Sequence, residues 1–152
     1  MSGGRMDRIH FVYRSADDEV EIFINGRSLI DLAGAAELPE ARRTREPGLA
    51  GSYAWLRAAV IRRQLAHFLG TPQASWFGDG DTVLLGCECG DWGCWPLTAN
   101  IEVSDSMVTW SALRNGHRDW DLSSFGPFRF GRVDYDQALA RLADTLTRSA
   151  EA

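Results

Sequence analysis

Short runs rich in β-branched and aromatic residues, each fenced by turn-forming groups, constrain this chain more than any other feature. "IHFVYR" (9–14) and "VEIFIN" (20–25) flank the polar "SADDE" and predict an antiparallel pair of strands. Asn25 and Gly26 then predict a turn, since both tolerate positive φ. The pattern returns in "TVLLGCEC" (82–89), "CWPLTANIEV" (94–103) and "MVTWSAL" (107–113). Gly90-Asp91-Trp92-Gly93 and Ser104-Asp105-Ser106 separate these runs, so the second half reads as a meander of hairpins.

Other segments carry a helical period. "LIDLAGAAEL" (29–38) predicts a short helix, and "PEARRTREPG" (39–48) a loop of prolines and charges. In residues 52–70 an apolar stripe of Ala54, Ala58, Ile61, Leu65 and Phe68 predicts a helix, with Ser52 as N-cap and Gly70 with Pro72 as the stop. Residues 114–131 read as a glycine- and aromatic-rich connection with a short strand at 128–130. The clearest element is last. Asp134 and Gln137 have the spacing of a capping box. Tyr135, Ala138, Leu139, Leu142 and Leu146 share one apolar face, and Asp144 with Arg148 makes an i,i+4 pair. The expected fold is α+β: an antiparallel sheet carrying an amphipathic C-terminal helix and one or two further helices. The expected organisation is one domain over residues 1–152, with residues 1–7 an unordered start.

Length and composition support a packed core. The chain has 152 residues, 45% hydrophobic and 24% charged, which is globular rather than disordered. A net charge of -5 argues against nucleic acid as a partner, because duplex binding needs clustered positive charge. All basic residues are arginines, and the one basic run, Arg42, Arg43 and Arg45, sits beside Glu40 and Glu46. No apolar run approaches the ~20 residues of a membrane span, and the start lacks a secretory pattern. A cytoplasmic, membrane-free protein is therefore expected, in which three cysteines are reduced thiols or metal ligands.

Those cysteines fall together in "GCECGDWGCWPL" (86–97). If strands 83–89 and 94–101 pair around a four-residue loop, Cys89 faces Cys94, and Cys87 lies on the same side. Three clustered thiols suit zinc, whose structural sites are tetrahedral and rich in cysteine. His117, after the adjoining strand, is the expected fourth ligand; His67 and His10 are the alternatives. The spacing C-x-C-x4-C is not a standard zinc-knuckle pattern. The competing readings are small buried reduced thiols or a catalytic Cys94 activated by His117 and oriented by Asp121.

Six tryptophans exceed what one core stripe needs. Trp92, Trp95 and Trp120, with His117, Arg118 and Asp121, form the expected partner-binding set. Nearby carboxylates make a basic protein the partner such a surface would suit.

"LLGCECGDWGCWPL", "VTW", "HRDWDLSSFGPFRF" and "DYDQAL", with "INGRSLIDL" and "AGSY" before them, resemble a group of small bacterial proteins. The resemblance runs from about residue 9 onward and implies no activity, substrate or partner. It implies that Cys87, Cys89, Cys94, Trp95, Pro96, His117, Arg118, Trp120, Asp121, Gly126, Pro127 and Phe128 belong together. The expected function is a non-enzymatic binding or accessory protein, of which an inhibitor or immunity-type partner is one form. A cysteine-dependent enzyme and a small structural zinc domain are the rivals.

Overall fold

The computed structural model describes residues 6–151. Among them β1 (Ile9–Arg14) and β2 (Glu19–Ile24) pair antiparallel in the register Phe11 to Ile22, as their alternation predicts. The Asn25-Gly26 turn, with positive φ at both residues, leads into the short β3 (Arg27–Ser28). Helix α1 (Leu29–Arg43) follows at once, with the Ser28 hydroxyl accepting from the Asp31 amide as N-cap.

Helix α1 overturns the loop expected over 39–48. Proline removes one helical hydrogen bond, yet the helix runs through Pro39 to Arg43. Its buried face, Leu29, Ala33, Glu37 and Ala41, recurs every four residues across the proline. Burial of that face outweighs the lost bond.

The long helix expected over 52–70 is also absent. In its place stand β4 (Ala54–Arg57), the single turn α2 (Ala58–Ile61) and a 3-10 segment at Leu65–Leu69. Strand β4 joins the two halves of the sheet: Val20 of β2 faces its Leu56, and its Trp55 faces Leu85 of β5. Ladder bonds on both sides override the helical stripe, whose Ala58, Ile61 and Phe68 are buried all the same.

Strands β5 (Thr82–Gly86), β6 (Leu97–Val103), β7 (Met107–Asn115) and β8 (Phe128–Gly131) complete an antiparallel sheet of eight strands. Its order is β1-β2-β4-β5-β6-β7-β8, with β3 paired to β2. The fold is α+β. Helix α3 (Arg132–Glu151) packs on β1, β7 and β8 with Tyr135, Ala138, Leu139, Leu142 and Leu146 buried, the face expected from sequence. The Tyr135 hydroxyl donates to Phe68 O at 2.5 Å and accepts from Trp110 Nε1 at 3.1 Å, which pins helix, sheet and 3-10 segment together. Asp144 and Arg148 form the expected pair. Helix α3 starts at Arg132, however, not after an Asp134 cap, because β8 runs straight into it and the Arg132 amide is taken by Ser106 O. No helix is long and apolar enough to cross a membrane among the described residues.

The unordered start expected over 1–7 lies mostly outside the described residues. Asp7 itself bridges to Phe130 of β8, and its carboxylate accepts from the Arg129 amide at 2.9 Å and from Asn25 at 2.9 Å.

Candidate metal centre

The expected tight hairpin around the cysteines does not form. Pairing ends at Leu85 and Leu97, so residues 87–96 make a long loop across the sheet end. Two local facts bend the chain there. Gly86 has no side chain, and the Trp92 backbone occupies that space: a Cβ on Gly86 would lie 2.8 Å from Trp92 Cα. Pro96 has no amide to extend the ladder. The loop is closed by Gly90 N–H to Cys87 O (3.0 Å), by Cys94 N–H to Asp91 O (3.1 Å) and by the Asp91 carboxylate, which caps a 3-10 turn at Trp92–Cys94 through Gly93 N–H (2.9 Å).

This loop brings the thiols together by a route other than the expected one. The Sγ atoms of Cys87, Cys89 and Cys94 lie within 4.8 Å of one another, with Cys87 half-buried and the other two exposed. A tetrahedral zinc with Zn–S bonds of about 2.3 Å needs sulfurs roughly 3.8 Å apart, so only small adjustments separate this cluster from a coordination tripod. The Cys89 amide already donates to Cys87 Sγ at 3.4 Å, the kind of outer bond that orients a ligating thiolate.

The three thiols do not ionise alike. The Asp91 backbone, then the thiols of Cys87 and Cys94, favour the Cys89 thiolate and lower its pKa. The Cys89 amide favours a Cys87 thiolate too, but the Cys89 side chain and partial burial outweigh it and raise Cys87. Cys94 is pushed up to about 11, first by its hydrogen bond with Cys89, then by burial and the charge on Cys89. Ionisation is thus favoured at Cys89 and opposed at Cys87 and Cys94. A cation removes that conflict, and its binding must release protons.

His117 does not join the sulfurs in one ligand group; among the described residues that group holds three cysteines. Its Nε2 donates to Gly93 O at 3.1 Å, and its ring lies 4.6 Å from Trp76 and stacks on Trp95 at 6.1 Å with 8° between planes. It braces the loop next to Cys94. His67 is buried and bonded to Val83 O, and His10 lies on β1. For the catalytic alternative, no hydrogen bond joins His117 to a thiol among the described residues, and Asp121 Oδ1 accepts from the Ser123 amide instead.

The tryptophans divide between core and surface. Trp120 is buried, and Trp92 and Trp95 are half-buried and packed on the core. The exposed aromatics are instead Trp76 and Phe77, which lie outside the expected partner-binding set. Arg118 lies over Trp95 at 5.0 Å and pairs with Glu46, while Arg114 stacks on Phe77 at 3.7 Å and pairs with Asp79. The arginines thus neutralise Glu46 and Asp79, whereas Glu88, Asp91, Asp119 and Asp121, the carboxylates expected near these aromatics, make no ion pair among the described residues.

Three further buried groups had escaped notice: Glu37, Tyr53 and Asn115. Glu37 was legible in principle, because Leu29, Ala33 and Ala41 place it on a buried helical stripe. Comparison with known proteins adds no relative to this geometry: no family model, curated protein or solved structure matches the chain.

Proposed function

We propose that this chain is a non-enzymatic metal-binding protein whose Cys87, Cys89 and Cys94 hold one thiophilic divalent cation, zinc foremost. The observation that carries this reading is the convergence of the three Sγ atoms on a loop already closed by its own backbone bonds. Thiolates select soft and borderline ions, and a tripod of sulfur suits zinc's tetrahedral preference. Three thiolates leave a bound Zn²⁺ with net charge of about -1 by simple addition, which weakens it as a Lewis acid. His117 is engaged by Gly93 O and not by a thiol, which favours holding, delivering or sensing the ion over thiol catalysis.

The site is peripheral. All three ligands come from one loop, and the core does not run through it. Metal therefore binds a loop that is already closed and is not needed to fold the domain, unlike a zinc finger, whose folding needs the ion. The test is titration of chelator-stripped protein with Co²⁺ under reducing conditions. One equivalent should give a thiolate charge-transfer band, Cys94→Ser should weaken binding by at least about 100-fold, and the far-UV spectrum should not change on stripping. Failure to bind, with three thiols alkylating independently, would overturn the reading.

A further inference from the structure

A buried acid without a cationic partner demands an explanation, and Glu37 is one. It is fully buried in α1, and burial raises its pKa. Its Oε1 accepts from the Gly51 amide at 2.8 Å and its Oε2 from the Tyr53 hydroxyl. Gly51 reaches the helix only because it is glycine: a Cβ there would sit 2.8 Å from Gly34 Cα, and its φ is +71°. Having donated to Glu37, the Tyr53 oxygen accepts from Asn115 Nδ2 at 3.0 Å. That fixes the Asn115 amide, whose Oδ1 is left to accept from the His117 amide at 2.8 Å, closing an Asx-turn. The turn then grips the thiol loop on both sides of Cys94: His117 Nε2 holds Gly93 O at 3.1 Å, and Gly116 N–H holds Pro96 O at 2.9 Å.

The polarity of this chain is set at its buried end. Both Glu37 oxygens accept, so the Gly51 amide, the Tyr53 hydroxyl, the Asn115 Nδ2 and the His117 amide all donate toward the buried end. We propose that Glu37, Tyr53 and Asn115 are positioning residues for the metal centre, acting through His117 to fix the backbone that carries Cys94. The inference rests on the metal-binding reading above. The chain ties the loop to the interior of α1, so the metal meets a backbone that is already placed.

The experiment is a Co²⁺ titration of wild type, His117→Ala, Glu37→Gln, Tyr53→Phe and the double variant Tyr53→Phe/His117→Ala, with a thermal melt of each. Glutamine keeps the volume of Glu37 but offers a donor at one end, so it cannot accept from both Gly51 and Tyr53. His117 is exposed, and its variant is expected to fold. His117→Ala and Tyr53→Phe should each weaken Co²⁺ binding by about fivefold, one hydrogen bond's worth. The double variant should lose less than the product of the two single losses, because both changes act on the His117 arm while the Gly116 N–H keeps its own hold on Pro96 O. A merely structural role would lower the melting temperature without that non-additivity. Wild-type protein that binds no Co²⁺ would overturn the metal reading and this inference together. Tight wild-type binding left unchanged by His117→Ala, or fully additive losses, would overturn the positioning role alone.

Discussion

Acidification should destabilise this protein through His67 well before most carboxylates titrate. The imidazole is fully buried, edge-on to Phe68, with Nε2 donating to Val83 O at 2.8 Å and Nδ1 accepting from the Gln73 amide at 3.0 Å. A second proton would go onto Nδ1, where an N–H already points. Burial holds the pKa down to about 4 from an ordinary 6.5, against a smaller opposing pull from the Val83 carbonyl. The native pKa lies below the unfolded one, so the unfolded chain binds more protons between these values. The stability contribution is therefore complete above about pH 6.5 and is lost as the pH falls toward 4. Integrating the linkage from pH 7 to pH 5 gives a loss of about 2 kcal/mol. Urea unfolding at the two pH values measures it, with His67→Gln as the reference. Glutamine offers an amide donor for Val83 O and does not titrate, and the carboxylates common to both proteins cancel. The pH-dependent loss should be about 2 kcal/mol larger in the wild type. Losses equal to within about 0.5 kcal/mol would refute the reasoning.

Two further outcomes follow from neighbouring contacts. Asp81 accepts from the Ser75 hydroxyl (2.6 Å) and from the amides of Trp76 (2.9 Å) and Phe77 (3.1 Å). Burial would raise its pKa, but these bonds outweigh it and hold the carboxylate down to about 2. Asp81→Ala should cost about 3 kcal/mol in urea unfolding and red-shift tryptophan emission as Trp76 loosens, and an unchanged midpoint would count against it. Gly86→Ala should drive its methyl into the Trp92 backbone and displace the thiol loop. It should leave the core intact and abolish the Co²⁺ charge-transfer band, so an unaltered band would show that the loop is not seated on Gly86.

The strands and α3 were legible because each is specified by its own residues. β1 and the face of α3 match the alternation and the 3.6 period almost position for position, and β2 does so except at Glu21, which is buried between Val20 and Ile22. What sequence misplaced was set by partners far along the chain. Residues 54–57 carry a helical stripe but are strand because β2 and β5 lie on either side. Pro39 marks an end that the buried Glu37 and Ala41 override. At the site, the clustering of Cys87, Cys89 and Cys94 was visible from spacing alone, although the hairpin that was to produce it gave way to a folded loop. The brace beneath it was not visible, because Glu37, Tyr53 and Asn115 are distant in sequence and meet only when Tyr53, just ahead of β4, bridges Glu37 of α1 and Asn115 of β7.

The bridge between Asp7 and Phe130 bears on how the chain is made. Within this sequence the flank of β1 is made well before β8, to which it is stitched, and β1 is covered by α3, which is made later still. Both margins of the sheet therefore stay open during synthesis, and long-range contacts of this kind make for slow folding. A nascent chain halted before residue 128 would present β1 and β7 as bare edges at once, the condition in which partly folded β proteins pair with one another. Pairing of β8 with β7 and its bridge to Asp7, followed by the packing of α3, thus turn a sticky intermediate into a closed molecule.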